Sequence, residues 1–174
     1  MVGVDPSLTS TGVAILDTED VLVIETFTVA SKGRRDDSWP DRWRRIDDAA
    51  GRVVQLVPAG AAVAIEAPSY GQARQSGVHD RAGLWWAIYS RLIDAGAPVS
   101  PVPPATRARY AAGKGNAAKD AVLAAAVRRY PQAAIANNDE ADAVVLAAWL
   151  ARQLGHPIED HMPATHLAAG KTKK

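Results

Sequence analysis

Four acids in this 174-residue chain are spaced as if to do chemistry: Asp5, Glu66, Asp139 and Asp142. Asp5 follows the apolar run Val2-Gly3-Val4, and Glu66 follows Val63-Ala64-Ile65, so each acid closes what reads as a buried strand. A carboxylate at such a place is costly unless it is paired or binds a cation. If the two strands are parallel neighbours, both acids sit at one carboxyl-terminal sheet edge, where open α/β sheets place their sites. Asp139 and Asp142, three residues apart at the start of a helix, share one helix face. A cluster of hard oxygen ligands without His or Cys suits Mg²⁺ or Mn²⁺, and two such ions clamp the attacking and leaving oxygens of phosphoryl chemistry. Taken singly, Asp5 also reads as a turn former before Pro6, and Asp139 as a helix cap. Glu66, which has no capping duty, is harder to explain structurally.

The elements that must position these acids follow from the apolar periodicity. Met1–Val4, Gly12–Leu16 and Val21–Val29 read as strands, with Thr18-Glu19-Asp20 as a short hairpin connection. Trp43, Ile46, Ala49, Ala50, Val53, Val54 and Val57 follow helical spacing, with Ser38 and Asp41 as an N-terminal capping pair and Pro58 beyond the end. Ala61–Ile65 reads as a buried strand, and Val78 to Ala95 as a helix stopped by Gly96. Val99–Val102 is a strand that its prolines confine to an edge. Asn116 is expected to cap a helix running to about Tyr130, and a last helix runs from Asp139 to Leu154. The order β-β-β-α-β-α-β-α-α implies one α/β domain over residues 1–156 with a mixed sheet, an antiparallel meander followed by strands returned by helices. Residues 157–174 read as a loosely ordered tail ending in Lys171, Lys173 and Lys174.

Composition narrows the class. The chain is 48% hydrophobic, enough for a real core and too much for a disordered chain. The absence of cysteine excludes disulfides, thiolate metal sites and a cysteine nucleophile. No 18-residue apolar run and no signal-like N-terminus are visible, so the expectation is a cytoplasmic protein with no membrane partner. A net charge of +1 argues against a nucleic-acid partner until the charges are mapped. Between Glu66 and Asp139 there are nine basic residues and three acids, a local balance of +6, and the remainder of the chain sums to −5. Phosphate binding depends on local cations and releases counterions where they sit, so this segment is suited to salt-sensitive nucleic-acid binding.

The motifs then carry a resemblance. Val2-Gly3-Val4-Asp5-Pro6-Ser7-Leu8-Thr9-Ser10-Thr11-Gly12 resembles the opening motif of the RuvC family of Holliday-junction resolvases. Val63-Ala64-Ile65-Glu66 resembles the family's second acidic motif, and Asp139-Glu140-Ala141-Asp142-Ala143 its Asp-x-x-Asp-Ala segment. Gly113-Lys114-Gly115-Asn116-Ala117-Ala118-Lys119 is similar to the Gly-x-Gly-x-Ala-x-Lys stretch before the preceding helix. The four occur in the family's order over residues 2 to about 150. The resemblance implies an RNase H-like fold with a mixed five-stranded sheet, and a Mg²⁺-dependent endonuclease that cuts four-way DNA junctions as a homodimer. It makes Asp5, Glu66, Asp139 and Asp142 the metal ligands, with two ions per site, and Lys119 the lysine near the scissile phosphate. Two departures stand out. Relatives often carry Lys-Lys where this chain has Ala108-Arg109, with Arg107 as the nearby substitute, and the junction-centre aromatic is offset to Tyr70. Tyr70, Arg74, Arg107, Arg109, Lys114 and Lys119 are thus the expected DNA contacts.

Other signals carry less. Gly113-Lys114 does not complete a P-loop, because position 108 is Ala and Gly115 follows the lysine, so no nucleotide cofactor is expected. His156, Asp160, His161 and His166 lie in the tail, outside any predicted rigid element, and read as surface residues. Trp39 and Trp43 stand among arginines, but Asp36, Asp37, Asp41, Asp47 and Asp48 are interleaved, the pattern of a solvated helix face. Of Trp85 and Trp86, adjacent on one helix, one belongs to the core and the other to an interface. An actin-like ATPase has no room for its second lobe in this length. An RNA-processing nuclease of the same fold, and a non-catalytic binder of branched DNA, are the alternatives to the resolvase.

Overall fold

The computed structural model describes residues 1–18, 20–68 and 77–168. Five strands, β1 (Val2–Asp5), β2 (Ser10–Asp17), β3 (Val23–Ala30), β4 (Val63–Glu66) and β5 (Val99–Val102), form one sheet in the order β3-β2-β1-β4-β5. β1 pairs with β2, and β2 with β3, antiparallel, whereas β1–β4 and β4–β5 are parallel. This is the expected meander followed by parallel strands, with the proline-bearing β5 on an edge. The helices are α1 (Trp39–Gln55), α2 (Val78–Asp94), α3 (Pro104–Ala112), α4 (Lys119–Arg129), α5 (Asn138–Gln153) and α6 (Ala164–Leu167). None is long and apolar enough to cross a membrane among the described residues.

The period-two alternation of the strands sorts the core onto two faces. Val2, Val4, Val13, Val63 and Ile65 point toward α1 and α2, where they meet Ala49, Ala50, Val53, Leu84, Trp85, Ile88 and Leu92. The opposite face carries small residues in the central strands: Gly3, Gly12, Ala14 and Ala64. Helix α5, buried almost throughout, lies on that face along β1 and β2. Its approach is close. A Cβ at Gly3 would strike the carbonyl of Ala143, and one at Gly12 the carbonyl of Asp139. Both glycines are therefore required for α5 to seat directly on strand backbone. Helices α3 and α4 complete this side with Ala108, Tyr110, Val122, Ala126 and Tyr130.

Three details differ from the sequence expectation. Helix α1 begins at Trp39, four residues earlier than its apolar spacing suggests, because Ser38 caps it by accepting from the Asp41 amide and Pro40 fits its first turn. Its charged face is laced by Arg44–Asp41 and Arg52–Asp48 pairs, as the interleaved charges imply. Asn116 does not cap α4; Ala118 holds that position and the helix starts at Lys119. The expectation of a loosely ordered tail over 157–174 is corrected for residues 157–168. There Glu159 accepts from Tyr110 Oη at 2.9 Å, from Tyr130 Oη and from Arg152 Nη2 at 2.9 Å, and Met162 is buried. A buried carboxylate with three donors anchors this segment to α3, α4 and α5. His166 of α6 donates from Nδ1 to the Tyr110 carbonyl at 2.8 Å. Lys171, Lys173 and Lys174 lie outside the described residues.

Candidate active site

The site is assembled by sheet register. Val4 pairs with Ile65 across parallel strands, so Asp5 and Glu66, each one residue further on, end neighbouring strands at the same edge. On its other side Asp5 pairs with Gly12. Because Gly12 carries no side chain, the first turn of α5 rests on it and brings Asp139 and Asp142 to the same edge. Asn137 caps α5 by accepting from the Glu140 amide at 2.9 Å. Glu140, between the two aspartates, faces elsewhere. It accepts from Thr28 Oγ1 at 2.6 Å and from the Ala136 amide at 2.7 Å, which ties α5 to β3. The end of β4 is fixed by the indole of Trp85, which donates to the Glu66 carbonyl at 2.8 Å. Trp85 is thus the core member of the tryptophan pair, and Trp86 is 57% exposed.

The side chains at this edge are packed and unequally charged. Asp5 is 9% and Asp142 3% exposed. Asp139 accepts from the hydroxyl of Ser10. Arg107, only 8% exposed, enters from α3 and donates from Nε to Glu66 and from Nη1 to Asp142. Burial, then the charges of Glu66 and Asp142, push the Asp5 carboxyl well above the ordinary carboxylate range, while Arg107 opposes them. Burial likewise raises Asp142 to about 7, with Arg107 and Lys119 pulling down and Glu66 and Asp139 pushing up. For Arg107, burial disfavours the charge, but Glu66 and Asp142 outweigh it and the guanidinium is held protonated.

Burial first, and then four carboxylates around a single guanidinium that bonds only Glu66 and Asp142, keep Asp5 from ionising readily. An all-oxygen donor set in that electrostatic state fits a hard divalent cation. In the arrangement described, no three His, Asp or Glu among the described residues are grouped as ready-made ligands.

The expected basic contacts divide. Lys119, the first residue of α4, is exposed and its charge is felt at Asp142. Lys114 is exposed in the loop before α4. Arg109 points under that loop: a Cβ at Gly115 would meet its Nη2 at 2.9 Å, and its Nη1 is buried without a hydrogen-bond partner among the described residues. Arg107 lies among the acids and not on a free surface. Tyr70 and Arg74 lie outside the described residues. Sequence reasoning counted Arg107 among the DNA contacts and gave no sign of its place between two acids. It also missed Ser10 and the Trp85 indole as supports.

The chain matches no family model, and no curated protein matches it. Among solved structures it is similar to RuvC of Thermus thermophilus, with 23% identity, a TM-score of 0.65, and coverage of 90% of this chain and 98% of that one. It is similar too to T. thermophilus RuvC in complex with a Holliday junction substrate, at 22% identity and a TM-score of 0.63, over 90% of this chain and 97% of that one. A likeness at this level of identity is one of fold: the chain has the RuvC-type, RNase H-like fold.

Proposed function

We propose that the chain is a Mg²⁺-dependent, structure-selective endonuclease that hydrolyses phosphodiesters in four-way DNA junctions. The observation that carries this reading is the meeting of Asp5, Glu66, Asp139 and Asp142 at one sheet edge, with Asp5 buried among like charges that Arg107 only partly offsets. Those four residues would hold the divalent ions, two per site, with Mn²⁺ as a substitute. Bound there, the ions would supply Lewis-acid activation of water and stabilisation of the leaving oxygen. Lys119 stands exposed at the start of α4, where the helix N-terminus also favours an anion, and would hold the scissile phosphate. Lys114 in the preceding loop, with Tyr70 and Arg74, would extend the contact along the DNA arms. A neighbour of the same fold that is bound to a Holliday junction supports branched DNA as the substrate. A homodimer would present two such sites to the two strands cut.

One observation favours a second reading. Arg107 satisfies two of the four acids, as a non-catalytic binder of branched DNA would need. Cleavage decides between them. Wild type and Asp5→Asn are compared on a synthetic four-way junction, linear duplex and structured RNA, with Mg²⁺ or with EDTA. Junction cutting that requires Mg²⁺ and is abolished by Asp5→Asn, with binding retained, is the expected result. Binding without cutting gives the second reading, and preferential cutting of RNA would overturn the substrate.

A further inference from the structure

Arg107 is held where a cation is wanted. Its helix starts at Pro104, and the side chain spans Glu66 at the end of β4 and Asp142 one turn into α5, one guanidinium nitrogen to each. A fork buried to this degree is fixed by its partners, since an unpaired buried guanidinium is far more costly than a paired one. The same two carboxylates belong to the set that would hold the ions. A divalent ion of this class takes six or more oxygen ligands, and a carboxylate oxygen committed to a charge-assisted hydrogen bond is a poor donor to it. Guanidinium and ion also repel at this range.

We propose that Arg107 and a divalent cation compete for Glu66 and Asp142, so that Arg107 is the resident counter-ion of the metal-free site and leaves these acids when the site is loaded. The inference rests on the metal-dependent reading above. It gives Arg107 a role in both states: it neutralises the acids when no ion is bound, and once displaced it is a cation released beside the position of a bound phosphate. It also makes loading an exchange, one positive group leaving as another enters, so that four carboxylates need not stand unneutralised in the empty protein.

The test uses the full chain without DNA. Mn²⁺ binding is measured by calorimetry for wild type, Arg107→Gln and Arg107→Lys. Arg107→Gln should bind Mn²⁺ on the order of tenfold more tightly, the scale expected when one repelling unit charge a few ångströms from the ion is removed. In EDTA it should melt below wild type, and Mn²⁺ should raise its melting temperature by more. Equal or weaker binding by Arg107→Gln overturns the competition while leaving the nuclease reading in place. Absence of binding by both proteins removes both. Should Arg107→Gln not fold without metal, the wild type decides: the Nε–H resonance of Arg107 must shift during a Mg²⁺ titration. A resonance unmoved at saturating Mg²⁺ overturns the proposal.

Discussion

Gly12 lies directly beneath the carbonyl oxygen of Asp139, so the first turn of α5 rests on the backbone of β2 with no side chain between them. Gly12 is also the strand partner of Asp5. One position without a side chain thus sets the separation between acids that are 134 residues apart in sequence.

Replacing Gly12 with Ala should therefore act on stability and chemistry together. The methyl group meets helix backbone, which cannot rotate away, so the expected loss is about 3 kcal/mol, the upper part of the range for overpacked cores. Thermal denaturation followed by circular dichroism measures it. Junction cleavage should fall further than the folded fraction does, because Asp139 is moved off the edge. A Gly12→Ala variant with wild-type melting and cutting would contradict the contact.

The acids also fix a pH dependence. Asp142 binds its proton more tightly in the folded protein, at about 7, than in the unfolded chain, and Asp5 is displaced in the same direction. Where the native state holds more protons than the unfolded state, stability falls as pH rises. The metal-free protein should thus be most stable below about pH 4 with respect to these groups, and should lose up to about 4 kcal/mol from Asp142 alone as pH climbs to about 7. Denaturant melts in EDTA at a series of pH values would show the decline. Asp142→Asn should flatten it.

Glu159 anchors the last described segment through Tyr110, Tyr130 and Arg152. Its side chain is 4% exposed. Glu159→Ala removes the acceptor of the Tyr130 hydroxyl and the charged partner of Arg152, leaves the Tyr110 hydroxyl only a longer bond to the Ala148 carbonyl, and should cost about 3 kcal/mol. Limited proteolysis should then cut after Pro157 at a rate the wild type does not show. Resistance equal to wild type would mean that Met162 and α6 suffice to hold the segment.

Lys119 is exposed, so its loss should not unfold the protein. If it holds the scissile phosphate, Lys119→Ala should slow single-turnover cleavage by about 10²-fold, as removal of one preorganised charge-stabilising donor does. Junction affinity should change by much less. An equal loss in binding and rate would instead make it an ordinary phosphate contact.

The acids were legible in the sequence because each sits at the end of an apolar run or on a helix start, patterns that burial enforces. Arg107 was not, and the reason lies in α3. Four prolines around Val99–Val102 read as breakers, which they are for a strand. Pro104, however, occupies the first turn of a helix, where its fixed φ is an advantage, and Gly113 ends that helix at φ 77°. Proline at the start and glycine just past the end is itself a helix signature, and it carries Arg107 to the acids. Asn116 misled in the opposite way: a good capping residue was available, yet the chain turned two residues later at Ala118. Glu159 gave no periodic signal because its partners come from three other helices. Patterns within one element show in sequence, and pairings between elements do not.

Pro101 has a consequence for assembly. In β5 the residues facing β4 are even-numbered: the Pro98 carbonyl accepts from Val63, and that of Val102 from Ala67. Val99 and Pro101 therefore turn their backbone outward, and at Pro101 no amide hydrogen exists to offer. A further strand arriving at this border would find its ladder interrupted in the middle. Extension of the sheet by strand pairing is therefore disfavoured at the border next to the strand that carries Glu66.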